Sequence, residues 1–465
     1  MHPSLPAELL ESLEAARGFD RKAFEQVHQS GEQVVSIRMN PLKREQPGDF
    51  FSADNLSIPY SQIPWSSHGY YLSRRPNFTL DPLIHAGAYY VQEASSMFLE
   101  EAMRQCVDLG KPLRVLDLCA APGGKSTLIQ SIISPESLLV SNELIKTRVN
   151  ILEENLTKWG AVNTIITNND PSAFSRLENY FDLIVVDAPC SGSGLFRRDP
   201  EAISEWSTEN VRSCSLRQQR ILADIWPALK QGGLLIYSTC SYSIEEDEMI
   251  LDKIVADFAI ESLRLKIPET ENIVESNSPL KKCFGYRFYP DKINGEGFFI
   301  AVLRKNDGNS FAHSKSTKPS FEKTNKKEAE MIYPYVKPDE SLSLLKHSDL
   351  LFMMPAQLVN DLALLQKSLY LKRCGVVIGK AGAKELIPHH DLVMSVLVNS
   401  GIPKVSLNKE DSIHYLRKDD FSIADAAKGW NIVQYQNINL GWLKMLDRRF
   451  NNYYPVEWRI RMNAN

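Results

Sequence analysis

Residues 114–125 read RVLDLCAAPGGK, an apolar strand that runs into a turn of small residues and then into a helix. Such a turn lets backbone N–H groups and a helix N-terminus approach a ligand closely. Two nucleotide-binding patterns resemble it and neither is complete. A P-loop needs Gly, four residues, then Gly-Lys-Ser/Thr. Gly124-Lys125-Ser126 supplies the end of that pattern, but Cys119 stands where the first glycine belongs. The dinucleotide fingerprint G-x-G-x-x-G is also absent. Neither a nucleoside triphosphatase nor an NAD enzyme is supported.

On either side, strand and helix signals alternate. Short apolar runs at Arg114–Leu118, Ser137–Ser141, Thr164–Thr167, Leu183–Asp187, Leu234–Tyr237 and Phe298–Leu303 read as buried parallel strands. Helical patterns at Lys125–Ile133, Lys146–Trp159, Leu216–Lys230 and Asp247–Phe258 lie between or beside them. The alternation predicts right-handed crossovers and a doubly wound α/β sheet of Rossmann-like type. Glu143 ends the second strand, 19 residues after Gly124, where a carboxylate accepts both hydroxyls of a ribose. Asp170 and Asp187 end the third and fourth. One acidic strand end serves as well as a helix cap; three beside a Gly-Gly turn predict a ligand site at the carboxyl edge.

Two cysteines also leave strand ends. Asp187-Ala-Pro-Cys190 is followed by Ser-Gly-Ser-Gly194, and Ser238-Thr-Cys240-Ser241 follows the next strand. Neighbouring parallel strands converge at one edge, so both thiols are placed to face one cleft. Cys106, Cys214, Cys283 and Cys374 lack this polar Ser/Gly setting and read as core. A thiol beside a nucleotide-like cofactor suits methylation at an unactivated ring carbon. Addition of a thiolate to carbon-6 of a pyrimidine makes carbon-5 enamine-like, and a base then removes the carbon-5 proton.

The 465 residues are 43% hydrophobic and 24% charged, which excludes a largely disordered or collagenous chain. The first twenty residues carry Glu8, Glu11, Glu14 and Asp20 without an apolar stretch, and no run of about 18 apolar residues follows. Neither a signal peptide nor a membrane span is expected. The seven cysteines are odd in number and none has zinc-ligand spacing, so a reduced, cytoplasmic protein without a metal is expected. Net charge is −4, yet residues 341–465 hold sixteen Lys+Arg against eleven Asp+Glu. A basic tail on an acidic body suits a phosphate-rich partner, though scattered surface lysines would read the same way. Residues 306–328 are polar and lysine-rich, the composition of a linker. Before residue 105, Ala7–Ala16 and Arg21–Ser30 read as helices and 35–39 (VSIRM) as a strand. The tail reads as a small α+β or β-rich module.

VLDLCAAPGGKST, DAPCSGSGLFRRDP and YSTCSYSIEEDE resemble motifs one, four and six of the Sun-type RNA (cytosine-C5) methyltransferases. SIRMNPLK (36–43), YYVQEASSM (89–97) and GEGFFIAVLRK (295–305) are similar to that family too. With LGWLKMLDRRFNNYYPVEWRI (440–460), the arrangement resembles the RsmF-like subgroup, which modifies 16S rRNA and carries a PUA-like tail. The resemblance implies an N-terminal RNA-binding region (1–105), a methyltransferase domain (106–305), a linker (306–335) and a PUA-like RNA-binding domain (336–465). It implies Cys240 as nucleophile, Cys190 as the group assisting release, and Asp187 on the cytosine edge. Cys119, Ala120, Ala121, Pro122, Gly123, Gly124 and Lys125, with Glu143, Asp170 and Asp187, would hold S-adenosylmethionine. Asp247 stands where the family often has Asn and is expected to cap the next helix. Arg197, Arg198, Arg304 and Lys305 are candidate phosphate contacts. The implied partner is 16S rRNA or a small-subunit particle. The alternatives are tRNA as substrate and a non-catalytic RNA-binding assembly factor, against which both cysteines and Gly123-Gly124 stand intact. Asp187-Ala-Pro-Cys190, in place of Asn/Asp-Pro-Pro-Tyr/Phe, argues against an amino-methyltransferase.

Overall fold

The computed structural model describes residues 4–44, 58–307, 321–337, 339–423 and 426–462. Residues 308–320 of the expected linker lie outside them, and Lys326–Ile332, also expected as linker, is a helix.

A central sheet carries strands β1 (Arg114–Asp117), β2 (Leu138–Asn142), β3 (Thr164–Thr167), β4 (Phe181–Asp187), β5 (Leu229–Thr239), β6 (Ile260–Leu263), β7 (Val274–Asn277), β8 (Phe284–Phe288), β9 (Phe298–Lys305) and β10 (Leu371–Cys374). Its order is β7-β8-β9-β5-β4-β1-β2-β3-β10, with β6 paired to β9. From β3 to β5 every pair is parallel. The order reverses between β1 and β4, and ligands bind outside the strand ends at such a switch point.

The apolar runs form strands because both faces of the sheet are covered. Leu116, Val140, Ile184 and Leu235 point into one core with helices Thr208–Ile225 and Glu248–Asp257. Their neighbours Val115, Leu139, Leu183 and Ile236 point into the other with helix Gly124–Ile132. This alternation is the period-2 geometry of a strand buried on both sides. Phe298–Leu303 departs from the expectation: it is a strand, but antiparallel to β5. It arrives through the antiparallel pair β8–β9, which needs no crossover helix, and an apolar run does not encode direction. The third expected helix begins earlier, at Thr208, where Ser207 caps it through Asn210 N–H, and ends at Ile225 before Trp226-Pro227.

The two ends of the chain cover the sheet. Trp65, Met97 and Phe98 of the N-terminal region pack into one core. Phe352, Met354 and Leu362 of the tail pack into the other, and β10 extends the sheet at β3. The strands Val35–Met39, Tyr60–Gln62, Gly69–Leu72 and Tyr89–Val91 make an N-terminal sheet. Its Ile37 and Met39 share a core with Tyr415, Val433 and Leu443, part of a C-terminal α+β unit built on a four-stranded sheet of residues 404–452. Earlier in the tail, Leu350–Pro355 and Val376–Ala381 are strands and His390–Met394 is a helix.

A buried ion pair anchors the tail. Arg373 Nε donates to Asp391 at 2.7 Å, and Thr157 of helix Lys146–Trp159 donates to the same carboxylate at 3.3 Å. Burial opposes the Asp391 charge, but Arg373 and His389 outweigh it and hold its pKa far below the ordinary carboxylate range. Asp391→Asn strands a buried guanidinium and should cost about 3–5 kcal/mol in urea unfolding at pH 7. Because the folded pKa is depressed, the stabilisation is full above the unfolded value near ~3.9 and fades as pH falls below it. The variant should therefore show a shallower acid limb than the parent chain.

Candidate active site

The turn after β1 is held from behind. Arg148 Nη2 donates to Ala121 O at 2.6 Å, Asn155 Nδ2 to Pro122 O at 2.8 Å, and Ala120 N–H to Asn142 O at 2.8 Å. The Ala121–Pro122 bond is cis. Gly123 has φ +118°, a left-handed conformation, and a Cβ there would meet Asn155 and Leu152 at 3.3–3.4 Å. Arg38, buried in the N-terminal sheet, clamps the helix that follows: it donates to Gly124 O, Thr127 Oγ1 and Ser131 Oγ and stacks over Trp159. Burial pushes the Asp117 carboxyl up to about 7, and Ser126 donates to it at 2.6 Å. Cys119 is a partly buried thiol whose pKa burial raises.

The acidic strand ends are not alike. Glu143 is buried, accepts Ile145 N–H at 2.9 Å and faces Arg148 at 3.5 Å. Asp187 pairs with Lys125 at 2.8 Å and accepts Ser238 Oγ at 3.0 Å. Burial works against the Lys125 charge, but Asp187 outweighs it and raises the pKa. Asp170 caps the turn Pro171–Arg176, taking Ser172 N–H and hydroxyl on one oxygen, with Arg220 3.5 Å from the other.

Cys190 and Cys240 meet. Their sulfurs are 2.9 Å apart, sharing a hydrogen bond. That bond first, and then burial, hold Cys190 well above the ordinary thiol range. Gly194 lets the two turns touch: its N–H donates to Cys240 O at 2.8 Å, and a Cβ would lie 2.6 Å from the Cys240 and Gly297 carbonyls.

A sequence-family model described as 16S rRNA methyltransferase RsmB/F matches residues 106–304. Residues 5–94 match the N-terminal domain of 16S rRNA methyltransferase RsmF, and 402–460 the methyltransferase RsmF PUA domain. Ribosomal RNA small subunit methyltransferase F of Shewanella woodyi is 30% identical over 447 residues, covering 91% of this chain and 90% of that protein. This chain belongs to the small subunit methyltransferase F family. The protein of that name from Escherichia coli (strain HS) is 30% identical over 444 residues, with 91% and 89% covered. Among solved structures, a methyltransferase homolog protein from Pyrococcus horikoshii aligns with TM-score 0.52 and 27% identity, covering 65% of this chain and all of that one. NSun6 from Pyrococcus horikoshii, solved with SFG, shares the fold at TM-score 0.55 and 19% identity, covering 66% and 99%.

Some residues expected near RNA serve the F-family scaffold instead. Arg197 is half-buried, its covered guanidinium meeting Gly295 O at 3.1 Å and Glu296 at 3.4 Å. Lys305 donates to Trp226 O and Leu229 O, and Arg304 pairs with Glu261. Long side chains reach carbonyls beneath the surface as easily as phosphates above it. Arg198 is exposed. Asp247 occupies the expected cap position but makes no cap bond; buried, it takes the Thr239 hydroxyl at 2.6 Å and faces Arg287 at 3.3 Å. The sequence reading assigned no role to Glu246, Ser191 or Ser241, which lie beneath the thiols; a serine directly after each cysteine was the available signal. Among the described residues no helix is long and apolar enough to cross a membrane, and no cluster of three or more His, Cys, Asp or Glu is placed to hold a metal.

The tight turn and the buried carboxylate at the end of β2 fit S-adenosylmethionine, which pairs a ribose with charged ends. Gly123→Ala forces a side chain into left-handed backbone, a strain of about 1–3 kcal/mol. Calorimetry should show S-adenosylmethionine binding weakened by about tenfold, the equivalent of roughly 1.4 kcal/mol. Unchanged affinity would contradict the cradle.

Proposed function

We propose that this chain is an S-adenosylmethionine-dependent RNA methyltransferase that makes 5-methylcytosine in 16S rRNA by way of a covalent Cys240 adduct. The observation that carries the chemistry is the pair of thiols 2.9 Å apart at the ends of β4 and β5, beside Asp187 and Lys125. The substrate is supported by family membership along almost the whole chain.

Carbon-5 of cytosine is a poor nucleophile. The Cys240 thiolate adds to carbon-6, forming a C–S bond and moving the ring electrons toward carbon-5. S-adenosylmethionine, when bound, supplies an electrophilic methyl group to that carbon. The Cys119–Lys125 turn and Glu143 would hold it, with Asp170 at the next strand end. Asp187, held by Lys125 and Ser238, accepts a hydrogen bond from the cytosine edge. Loss of the carbon-5 proton to a base returns an electron pair to the ring, restores the 5,6 double bond and expels the Cys240 thiolate. Cys190, held as a neutral thiol, serves this release: it stays within hydrogen-bond reach of the departing sulfur. The target base must leave its stack to enter the cleft, which is easiest in a loop or a partly folded rRNA segment. The N-terminal region and the C-terminal unit, packed on each other, grip the backbone around it. The protein works in the cytoplasm, a reading supported by relatives named as ribosomal RNA methyltransferases.

Bisulfite sequencing of rRNA and tRNA from cells with and without the gene tests the assignment. One methylcytosine should vanish from 16S rRNA. Loss in tRNA instead would keep the chemistry and overturn the substrate. Cys240→Ser should abolish turnover, and Cys190→Ser should accumulate enzyme covalently bound to RNA on denaturing gels. Normal methylation by both variants would refute the two-thiol mechanism.

A further inference from the structure

Beneath the two thiols lies a carboxylate that the mechanism above does not use. Glu246 has no exposed surface. Its Oε1 accepts the Ser191 N–H at 2.8 Å and Gln218 Nε2 at 3.2 Å. Its Oε2 accepts the hydroxyls of Ser191 at 2.5 Å and Ser241 at 2.6 Å. A carboxylate has about four acceptor sites, and four donors fill them. The Ser191 and Gln218 N–H groups can only donate, so Oε1 must be an acceptor. Ser191 directly follows Cys190, and Ser241 directly follows Cys240. Other bonds cross between the turns, such as Tyr242 N–H to Ser193 Oγ at 2.9 Å. The Glu246 bridge rests on the residue next to each thiol, and the two serine hydroxyls also lie 3.4 Å from each other.

Resting on the two-thiol reading, we propose that Glu246 is a positioning residue: it clips the turn carrying Cys190 to the turn carrying Cys240 and so sets the spacing of the two sulfurs. It touches neither sulfur by a hydrogen bond and acts through Ser191 and Ser241. The clip suits a reaction in which one thiol attacks and the second assists release at the same base, because both must keep one geometry through two steps. A buried carboxylate also suits the electrostatics. After the bond with Cys240 and burial, its charge is a further cause that opposes ionisation of Cys190. Burial in turn raises the pKa of Glu246 itself, and its four donors offset only part of the rise.

The test reads sulfur spacing directly, on the full chain, with phenylarsine oxide. This trivalent arsenical bonds two adjacent thiols and releases one water. Mass spectrometry with peptide mapping locates the bridged adduct, and Cys190→Ser serves as the control that removes it. Glu246→Ala should weaken formation of the Cys190–Cys240 adduct by about tenfold and lower kcat by about as much or more, with KM for RNA little changed, since a misplacement of about 1 Å can cost 10²-fold. Glu246→Gln keeps an acceptor for the two N–H donors and offers its NH₂ to hydroxyls that can turn to accept. It should retain the adduct within about threefold, where a charge-dependent role would not be rescued. Parent-like adduct formation and kcat in Glu246→Ala would overturn the proposal. Should that variant fail to show a cooperative unfolding transition, the double variant Ser191→Ala, Ser241→Ala decides in the same way: loss of the adduct upholds the clip, and parent-like values overturn it. If the parent chain methylates no RNA, the functional reading fails, and the arsenical measurement still decides the spacing.

Discussion

The register of β4 against β5 is the constraint on which the site depends. Asp187 lies opposite Ser238 in a parallel pair, and Ala188 N–H continues the pairing by donating to Ser238 O at 2.8 Å. Cys190 and Cys240 then emerge three and two residues past that point, at the same height on the same edge. A slip of one residue would turn alternate side chains to the opposite face and part the thiols. Core packing forbids the slip. Ile184 and Val186 are committed to one core, and Leu183 and Val185 to the other.

The same packing explains why the ends of the chain are structural as well as peripheral. A parallel sheet must be covered on both faces. Here the N-terminal region lends side chains to one face and the tail to the other, and the two meet around Ile37, Tyr415 and Val433. Arg38 makes this covering chemical. It holds the helix that begins at Gly124 through four hydrogen bonds, so the geometry of the turn depends on a strand almost ninety residues earlier. The N-terminal region is thereby joined to the Cys119–Lys125 turn by buried contacts.

Much of this was legible in the sequence because the signals were strong and local. Apolar runs gave the strands, the Gly-Gly turn with its acidic strand ends gave the ligand edge, and cysteines in Ser/Gly-rich turns stood apart from those in core patterns. What could not be read depends on partners distant in sequence. Phe298–Leu303 reads as a strand in either direction, and its antiparallel pairing is set by the β8 strand before it. Asp247 looks like a cap, but the Thr239 hydroxyl and Arg287 compete successfully for its carboxylate. Lys305 looks like a phosphate contact until Trp226 and Leu229 supply carbonyls beneath it. Glu246 sits in a motif visible from the start, yet its role needs both turns present at once.

The thiol pair also shows why the surrounding groups are arranged as they are. Cys190 shares its hydrogen bond with Cys240 and is held as a neutral thiol beside it. Chemistry with one nucleophile and one proton holder requires that a second ionisation be hard. The shared bond, burial and a nearby carboxylate all act in that direction on Cys190. Lys125, which also feels Cys240, pairs with Asp187 at 2.8 Å. On the proposed mechanism, neutral donors and a buried carboxylate surround a Cys190 kept as a neutral thiol beside the nucleophile.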